Sequence, residues 1–112
     1  WGEFFNLFED DQVKVKELII EPKKGMSLQK HYKRSEIWLV SHGKCVVNFS
    51  KTSPNKTKEI NLDKHNSLHV ELGDWHQITN PFNEPCKIIE IQYGKETIEE
   101  DIERHSYYKS DE

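Results

Sequence analysis

The sequence predicts an all-β fold of the sandwich or barrel class, and three observations lead to that prediction. Short runs of β-prone residues recur along the 112-residue chain, with Gly, Pro and Asn between them, at the spacing of about 8–12 residues that is typical of such folds. Several runs alternate apolar and polar positions, as half-buried strands do. Only 34% of the residues are hydrophobic and 32% are charged, so the core must be thin. We expect one domain over residues 1–112.

Two strands are predicted in the first half of the chain. The stretch Val13–Ile20 is rich in β-branched and aliphatic residues and stops before the Pro-Lys-Lys-Gly turn at 22–25. The stretch Ile37–Val40 is a second apolar run, and the turn residue Gly43 follows it.

Three further strands are predicted in the second half. They cover Cys45–Phe49, Leu68–Leu72 and Lys87–Tyr93. The polar stretch 50–58, with Pro54 at its tip, is predicted to be an exposed hairpin loop. Gly73 makes a turn after the second of these strands, and Gly94 closes the third.

A short C-terminal helix is predicted over Glu96–His105. Ile98 and Ile102 stand four residues apart and would share one face, with acidic residues around them. We expect this helix to cap the β fold.

Composition excludes several classes of partner. The net charge of -4 does not fit a protein that binds a nucleic-acid backbone, which needs a basic face. No apolar run reaches the roughly 20 residues of a membrane helix, and Trp1–Asp11 lacks the pattern of a signal peptide, so we expect a cytoplasmic protein. Two cysteines, Cys45 and Cys86, make no disulfide framework.

Polar residues at two places suggest a metal site. Gln29, His31 and Lys33 alternate, so they would share one face of an extended segment. Glu36 follows after a short turn, and His76 follows the turn at Gly73. Imidazole and carboxylate ligands suit a divalent cation, and three or four of them leave positions open for a substrate. The competing interpretation is a scatter of surface histidines, which we expect of His42, His65, His69 and His105.

The spacing of these residues resembles a known family. Gly25 to Gly43, with His31 and Glu36 between them, resembles the first motif of the cupin superfamily, and Glu71 to Asn80 resembles the second. A longer series of segments is similar to the cupin domain of type II mannose-6-phosphate isomerases: Trp1–Phe4, Val13–Lys16, Leu28–His31, Arg34–Trp38, Asn80–Pro81, Ile89–Gly94 and Glu100–Arg104. Many relatives fuse this domain behind a mannose-1-phosphate guanylyltransferase, for which 112 residues leave no room.

The resemblance implies a fold and a ligand set. The fold is the cupin double-stranded β-helix, a jelly-roll-like barrel, with a divalent metal inside it. The family's four ligands map onto Gln29, His31, Glu36 and His76, whereas Lys33 stands where the general cupin motif has a histidine. Zinc is the first expectation for the metal, and manganese, cobalt, nickel and iron are the alternatives.

The resemblance also implies the interconversion of mannose 6-phosphate and fructose 6-phosphate. Lys33 is the candidate base, although an exposed position at the barrel rim is an equal alternative. Arg104 is the candidate for binding the phosphate or stabilising an enediolate, against a surface ion pair. Arg34 is expected to brace Glu36 or the mouth of the barrel rather than to contact the substrate. The partners expected are a small sugar phosphate and a second copy of the chain, since open strand edges favour pairing into a homodimer.

Two other functions stay open on the sequence. One is a non-catalytic cupin that binds a metal or a sugar, and the other is a different metal-cupin enzyme of carbohydrate metabolism. Gln29 in line with His31 favours the isomerase over cupin oxygenases, which usually rely on paired histidines. Glu90 and Gln92 share a strand face and are further candidates to reach the pocket.

Overall fold

The computed structural model describes residues 1–109, and every regular element in it is a β-strand. The strands in chain order are β1 (Gly2–Glu9), β2 (Val13–Ile20), β3 (Lys24–Gly25), β4 (Leu28–Lys30), β5 (Arg34–His42), β6 (Cys45–Ser50), β7 (Lys58–Leu62), β8 (Ser67–Val70), β9 (Trp75–Asn80), β10 (Cys86–Gly94) and β11 (Glu103–Ser106). This confirms the all-β prediction. Within residues 1–109 there is no helix long and apolar enough to cross a bilayer.

The strands form two antiparallel sheets. One has the order β1-β2-β10-β5-β8, and the other has the order β11-β4-β9-β6-β7, with β3 also paired to β9. Because the chain crosses repeatedly from one sheet to the other, strands distant in sequence face each other across the interior. The predicted hairpin loop is confirmed, since β6 pairs with β7 on either side of residues 51–57.

The interior is divided into an apolar end and a polar end. On β2, β5 and β10 the inward face is apolar along one half of the strand and polar along the other. The apolar core comprises Leu18, Ile20, Trp38, Val40, Cys45, Val47, Leu62, Val70, Ile78, Cys86 and Ile88. The polar half carries buried Lys16, Arg34, Glu36, Glu90 and Gln92. The antiparallel register aligns these groups, because Lys16 lies opposite Glu90 and Gln92 opposite Glu36.

The predicted C-terminal helix over Glu96–His105 is wrong. Residues 95–102 form an irregular segment, here called the strap, and Glu103–Ser106 continues as strand β11. Strand β11 pairs with β4, which places Arg104 opposite Gln29. The strap is fixed by Asp101, whose carboxylate accepts hydrogen bonds from the backbone N–H groups of Tyr32 and Lys33 at 2.9 and 2.8 Å. These tertiary contacts outweigh the weak local preference for a helix.

Candidate metal centre

Three buried side chains meet at the polar end of the interior. His31 follows β4, Glu36 lies on β5 and His76 lies on β9. Each offers a ligand atom, and these atoms all lie within 4.8 Å of one another. The structure therefore brings together three of the four residues that the sequence suggested as ligands, from both sheets.

Glu36 is the centre of this group. Its Oε2 lies 3.4 Å from His31 Nε2 and accepts a hydrogen bond from Arg34 Nε at 2.9 Å. Its Oε1 lies 3.7 Å from His76 Nε2 and accepts a hydrogen bond from Trp38 Nε1 at 3.2 Å. Arg34 thus braces Glu36, as the sequence suggested.

Both imidazoles are oriented by backbone carbonyls. His31 Nδ1 lies 2.6 Å from the carbonyl oxygen of Asp101, and His76 Nδ1 lies 2.8 Å from that of Asp74. Since a carbonyl oxygen only accepts hydrogen bonds, each Nδ1 carries the proton. Each Nε2 therefore carries a lone pair that points into the group, which is the orientation that outer partners give to metal-binding histidines. The lone pair of His31 Nε2 accepts a hydrogen bond from Arg34 Nη2 at 3.2 Å, whereas that of His76 Nε2 has no partner among residues 1–109.

The histidines are held neutral. Burial lowers the pKa of His31 from 6.5 to about 3, and the positive charge of Arg34 acts in the same direction. Burial likewise lowers the pKa of His76 to about 4. Neutral imidazole is the form that binds a metal.

One nitrogen of the group, His76 Nε2, is buried without a hydrogen-bond partner in the part of the chain that the structure describes. His76 Nε2 makes no hydrogen bond to any group in residues 1–109, although it is fully enclosed. Buried polar atoms are nearly always hydrogen-bonded. A lone pair left free beside a carboxylate and a second neutral imidazole fits a cation, so the donor set passes this test for a metal site.

Gln29 lies next to the group. It sits on β4 directly opposite His76 on β9, and side chains opposite each other in an antiparallel pair lie on the same face. Gln29 is buried, and its Oε1 accepts a hydrogen bond from Ser27 Oγ at 2.9 Å. This position is suited to a fourth ligand.

A second carboxylate supports the first. Trp38 Nε1 donates to Glu90 Oε2 at 3.1 Å as well as to Glu36, and Gln92 Nε2 donates to Glu90 Oε1 at 2.7 Å. Burial, followed by the charge of Glu36, raises the pKa of Glu90 to about 8. Burial also raises the pKa of Glu36, against the opposing charge of Arg34. Enclosure in the barrel is therefore the main reason that both carboxyl groups resist ionisation.

A cavity of about 220 Å³ lies beside the group. Its polar lining includes Lys16, Gln29, Arg34, Glu90, Gln92 and Arg104. The cavity therefore reaches a candidate ligand and the residues that brace Glu36, and it carries three positively charged side chains. Glu90 and Gln92 reach it, in line with the sequence-based suggestion.

The structure keeps Lys33 apart from the three-residue group. Strand β4 ends at Lys30 and the chain bends at 32–33, so the alternation that would align Lys33 with His31 is broken. Lys33 Nζ is paired with Glu96 Oε2 at 3.1 Å, and its side chain is 46% exposed. Arg104 is exposed on β11 but lines the cavity.

Sequence reasoning missed two residues of the site. Lys16 is buried and lines the cavity, and its signal was its position two residues before Leu18 on an alternating strand. Asp101 holds both the backbone at Tyr32 and the His31 ring. It lies in the family-like segment Glu100–Arg104, but no role was predicted for it. The other four histidines are exposed, as expected: His42, His65, His69 and His105.

Comparisons with known proteins identify the family. A family model described as mannose-6-phosphate isomerase C-terminal matches residues 1–107. The chain is 35% identical over 104 residues to mannose-1-phosphate guanylyltransferase 2 of Escherichia coli O157:H7. The matched region covers 93% of this chain and 20% of that relative. It is 33% identical over 104 residues to the alginate biosynthesis protein AlgA of Pseudomonas aeruginosa, with the same coverage. The chain thus spans about a fifth of these relatives.

Solved structures give the same fold. The capsular polysaccharide assembling protein CapF of Staphylococcus aureus matches with a TM-score of 0.79 and 19% identity, over 94% of this chain and 30% of CapF. A cupin 2 conserved barrel domain protein of Salinispora arenicola matches with a TM-score of 0.70 and 13% identity, over 84% of this chain and 76% of that one. The predicted cupin barrel is therefore confirmed.

Proposed function

Since the chain belongs to the mannose-6-phosphate isomerase C-terminal family, we propose that it is a metal-dependent isomerase that interconverts mannose 6-phosphate and fructose 6-phosphate. The observation that supports this best is the enclosed group of His31, Glu36 and His76, with the unpartnered His76 Nε2, beside a cavity lined by cationic side chains. The relatives named as guanylyltransferases match over only a fifth of their length, so that transfer reaction is not proposed for this chain.

The proposed metal ligands are Gln29, His31, Glu36 and His76. Two neutral imidazoles, one carboxylate and one amide oxygen suit zinc, and they also accommodate manganese, cobalt, nickel or iron. The chemistry that such an ion supplies is polarisation of the sugar oxygens and stabilisation of developing negative charge.

The chain's own residues would bind and orient the sugar phosphate. Arg104 is proposed to hold the phosphate or the enediolate, since its guanidinium can make paired hydrogen bonds to an anion. Gln92 Oε1 is buried without a hydrogen-bond partner in residues 1–109, so it is available to a sugar hydroxyl in the cavity.

The isomerisation moves a proton between the carbonyl carbon and its neighbour through an enediol, and a base within hydrogen-bond reach must carry it. Lys33 stays our prediction for that base. To act on the sugar, its ammonium must leave the ion pair with Glu96. The variant Lys33→Met should lower kcat by about 100-fold or more and leave the metal content unchanged. A kcat equal to that of the wild type would exclude Lys33 as the base.

A coupled assay of fructose 6-phosphate formation from mannose 6-phosphate tests the proposal. We expect turnover that a chelator abolishes and a divalent metal restores. His76→Ala should remove it, whereas His69→Ala, at an exposed histidine bonded to Tyr93, should keep it. Absence of turnover with every divalent metal tried would contradict the isomerase, and a metal or sugar bound without turnover would favour the non-catalytic cupin.

A further inference from the structure

Lys16 is an unusual lysine in this chain. Of the 14 lysines, all of which lie within residues 1–109, it alone is buried. Its side chain is 7% exposed. A buried ammonium is costly unless it has a function or a fixed partner, so its surroundings are informative.

The surroundings of Lys16 include one aromatic ring and two carboxylates. Its Nζ lies 4.6 Å from the centre of the Phe4 ring and 2.9 Å from Glu99 Oε1. Glu90 lies opposite it on the neighbouring strand β10, where the charge of Lys16 acts against the raised pKa of Glu90.

The partner carboxylate, Glu99, comes from outside the barrel. Glu99 lies on the strap, and its side chain is 66% exposed while it reaches the buried ammonium. The Glu99 end of this ion pair therefore lies where its carboxylate can return to solvent, whereas the Lys16 end is enclosed. Glu99 also lines the same cavity as Lys16.

Arg104 faces this cavity with an uncommitted charge. Its side chain has no ion pair and no hydrogen bond to any of residues 1–109, in contrast to Arg34, which is bonded to Glu36. The cavity therefore offers an anion two cationic groups: the ammonium of Lys16, whose partner Glu99 is exposed, and the guanidinium of Arg104.

Building on the sugar-phosphate isomerase proposed above, we propose that Lys16 and Arg104 form the subsite for the substrate's phosphate and that Glu99 occupies the anion's place on Lys16. Binding of the phosphate displaces the Glu99 carboxylate to solvent. Specificity for a phosphorylated sugar over a neutral one then resides partly in a lysine for which the sequence predicted no role.

Two variants have opposite expected effects. Lys16→Gln removes the charge that the phosphate needs, so it should weaken binding about tenfold, which is the scale of one lost charge-assisted hydrogen bond. Glu99→Gln removes the competing carboxylate, so it should tighten binding several-fold. A lysine that only neutralises Glu90 would give no tightening with Glu99→Gln.

The test is isothermal titration calorimetry of the metal-stripped, dialysed 112-residue chain with inorganic phosphate, mannose 6-phosphate and mannose. Metal-stripped protein is used so that the phosphate cannot bind to a metal. The matched controls are Lys14→Gln and Glu9→Gln, which break an ion pair of 3.4 Å involving the same strand β2, outside the cavity. We expect them to bind as the wild type does.

The subsite is overturned if Glu99→Gln binds both phosphates as the wild type does, or if a folded Lys16→Gln does so. It is also overturned if Lys16→Gln weakens mannose as much as mannose 6-phosphate. Circular dichroism and Tm establish folding, and the exposed Glu99 variant decides alone if Lys16→Gln does not fold. Expected binding shifts without turnover would overturn the isomerase and keep the subsite, whereas turnover without these shifts would do the reverse.

Discussion

At the scale of the residue, Glu36 determines the chemistry of the polar interior. Its two oxygens contact both imidazoles, the guanidinium of Arg34 and the indole N–H of Trp38. An enclosed carboxylate is stable only when charges and donors compensate it. Arg34 supplies a positive charge to this carboxylate, and a bound cation would supply more.

The depressed pKa of His76 predicts a loss of stability in acid. The folded pKa of about 4 lies below the unfolded value of 6.5, so the unfolded chain binds more protons between these values. The contribution of His76 to stability is therefore fully present above pH 6.5 and is lost as the pH drops towards 4. Chemical denaturation of metal-stripped protein should show the wild type losing about 3 kcal/mol more than His76→Gln across this window.

The raised pKa of Glu90 changes the stability with pH in the opposite direction, so its effect must be separated from that of His76. The folded chain retains a proton on Glu90 up to about pH 8, so this group costs stability as the pH rises from about 4.5. The wild type and His76→Gln both contain Glu90, so the difference between their stability curves gives the effect of His76 alone. Parallel stability curves for the wild type and His76→Gln would contradict the depressed pKa.

At the scale of the element, the strap is the segment that assembles the site. Its backbone carbonyls hold His31 at Asp101 and Arg34 at Ile98, and its Glu99 side chain holds Lys16. Residues 95–102 thus reach a proposed metal ligand, its brace and the proposed phosphate subsite.

Asp101 should therefore matter for both stability and metal binding. Asp101→Ala leaves the backbone N–H groups of Tyr32 and Lys33 without their acceptor, which should lower the free energy of unfolding by about 1–3 kcal/mol. It should also weaken metal binding, because the carbonyl of residue 101 orients the His31 ring. Denaturation and metal titration measure the two effects, and the exposed Glu100→Ala is the control. Unchanged metal affinity would show that the strap does not position His31.

The elements differ in how far local sequence determines them. Strands β2, β6 and β10 were predictable because their apolar residues recur every second position, which the two-sheet interior requires. Strand β11 was not predictable, since Glu103–Ser106 is exposed and is extended only by pairing with β4. Strand β1 is exposed throughout and exists by pairing with β2. The β-propensity of a segment does not show which strand it pairs with, because that strand can lie far away in the sequence.

At the scale of the whole molecule, one barrel carries two kinds of interior. Leu18 and Ile20 continue along the same inward face as Lys16, and Trp38 and Val40 along the same face as Glu36. The low apolar content of the chain is therefore explained by the enclosed polar end. The ligand set was what the family resemblance implied. Lys16 could have been found by following the alternation of β2 from its apolar residues back into its polar half.

The edge strand β1 carries the prediction of a homodimer. All eight of its residues are exposed, including Phe5, Leu7 and Phe8, and an open apolar edge favours pairing with another strand. We expect a dimer in light scattering coupled to size-exclusion chromatography. Leu7→Lys, at a leucine 58% exposed, should shift it to monomer, and Leu72→Lys, at one 55% exposed outside β1, should not. A monomeric wild type at all concentrations would contradict the prediction.

The central claim is that the group of His31, Glu36 and His76 is a metal centre, and metal stoichiometry tests it most directly. Elemental analysis of the purified chain, loaded with zinc and dialysed, should give one metal ion per chain in the wild type and in His69→Ala. It should give none in His76→Ala, with circular dichroism showing that this variant is folded. A wild type without bound metal, or a His76→Ala variant that retains a full equivalent, would contradict the account.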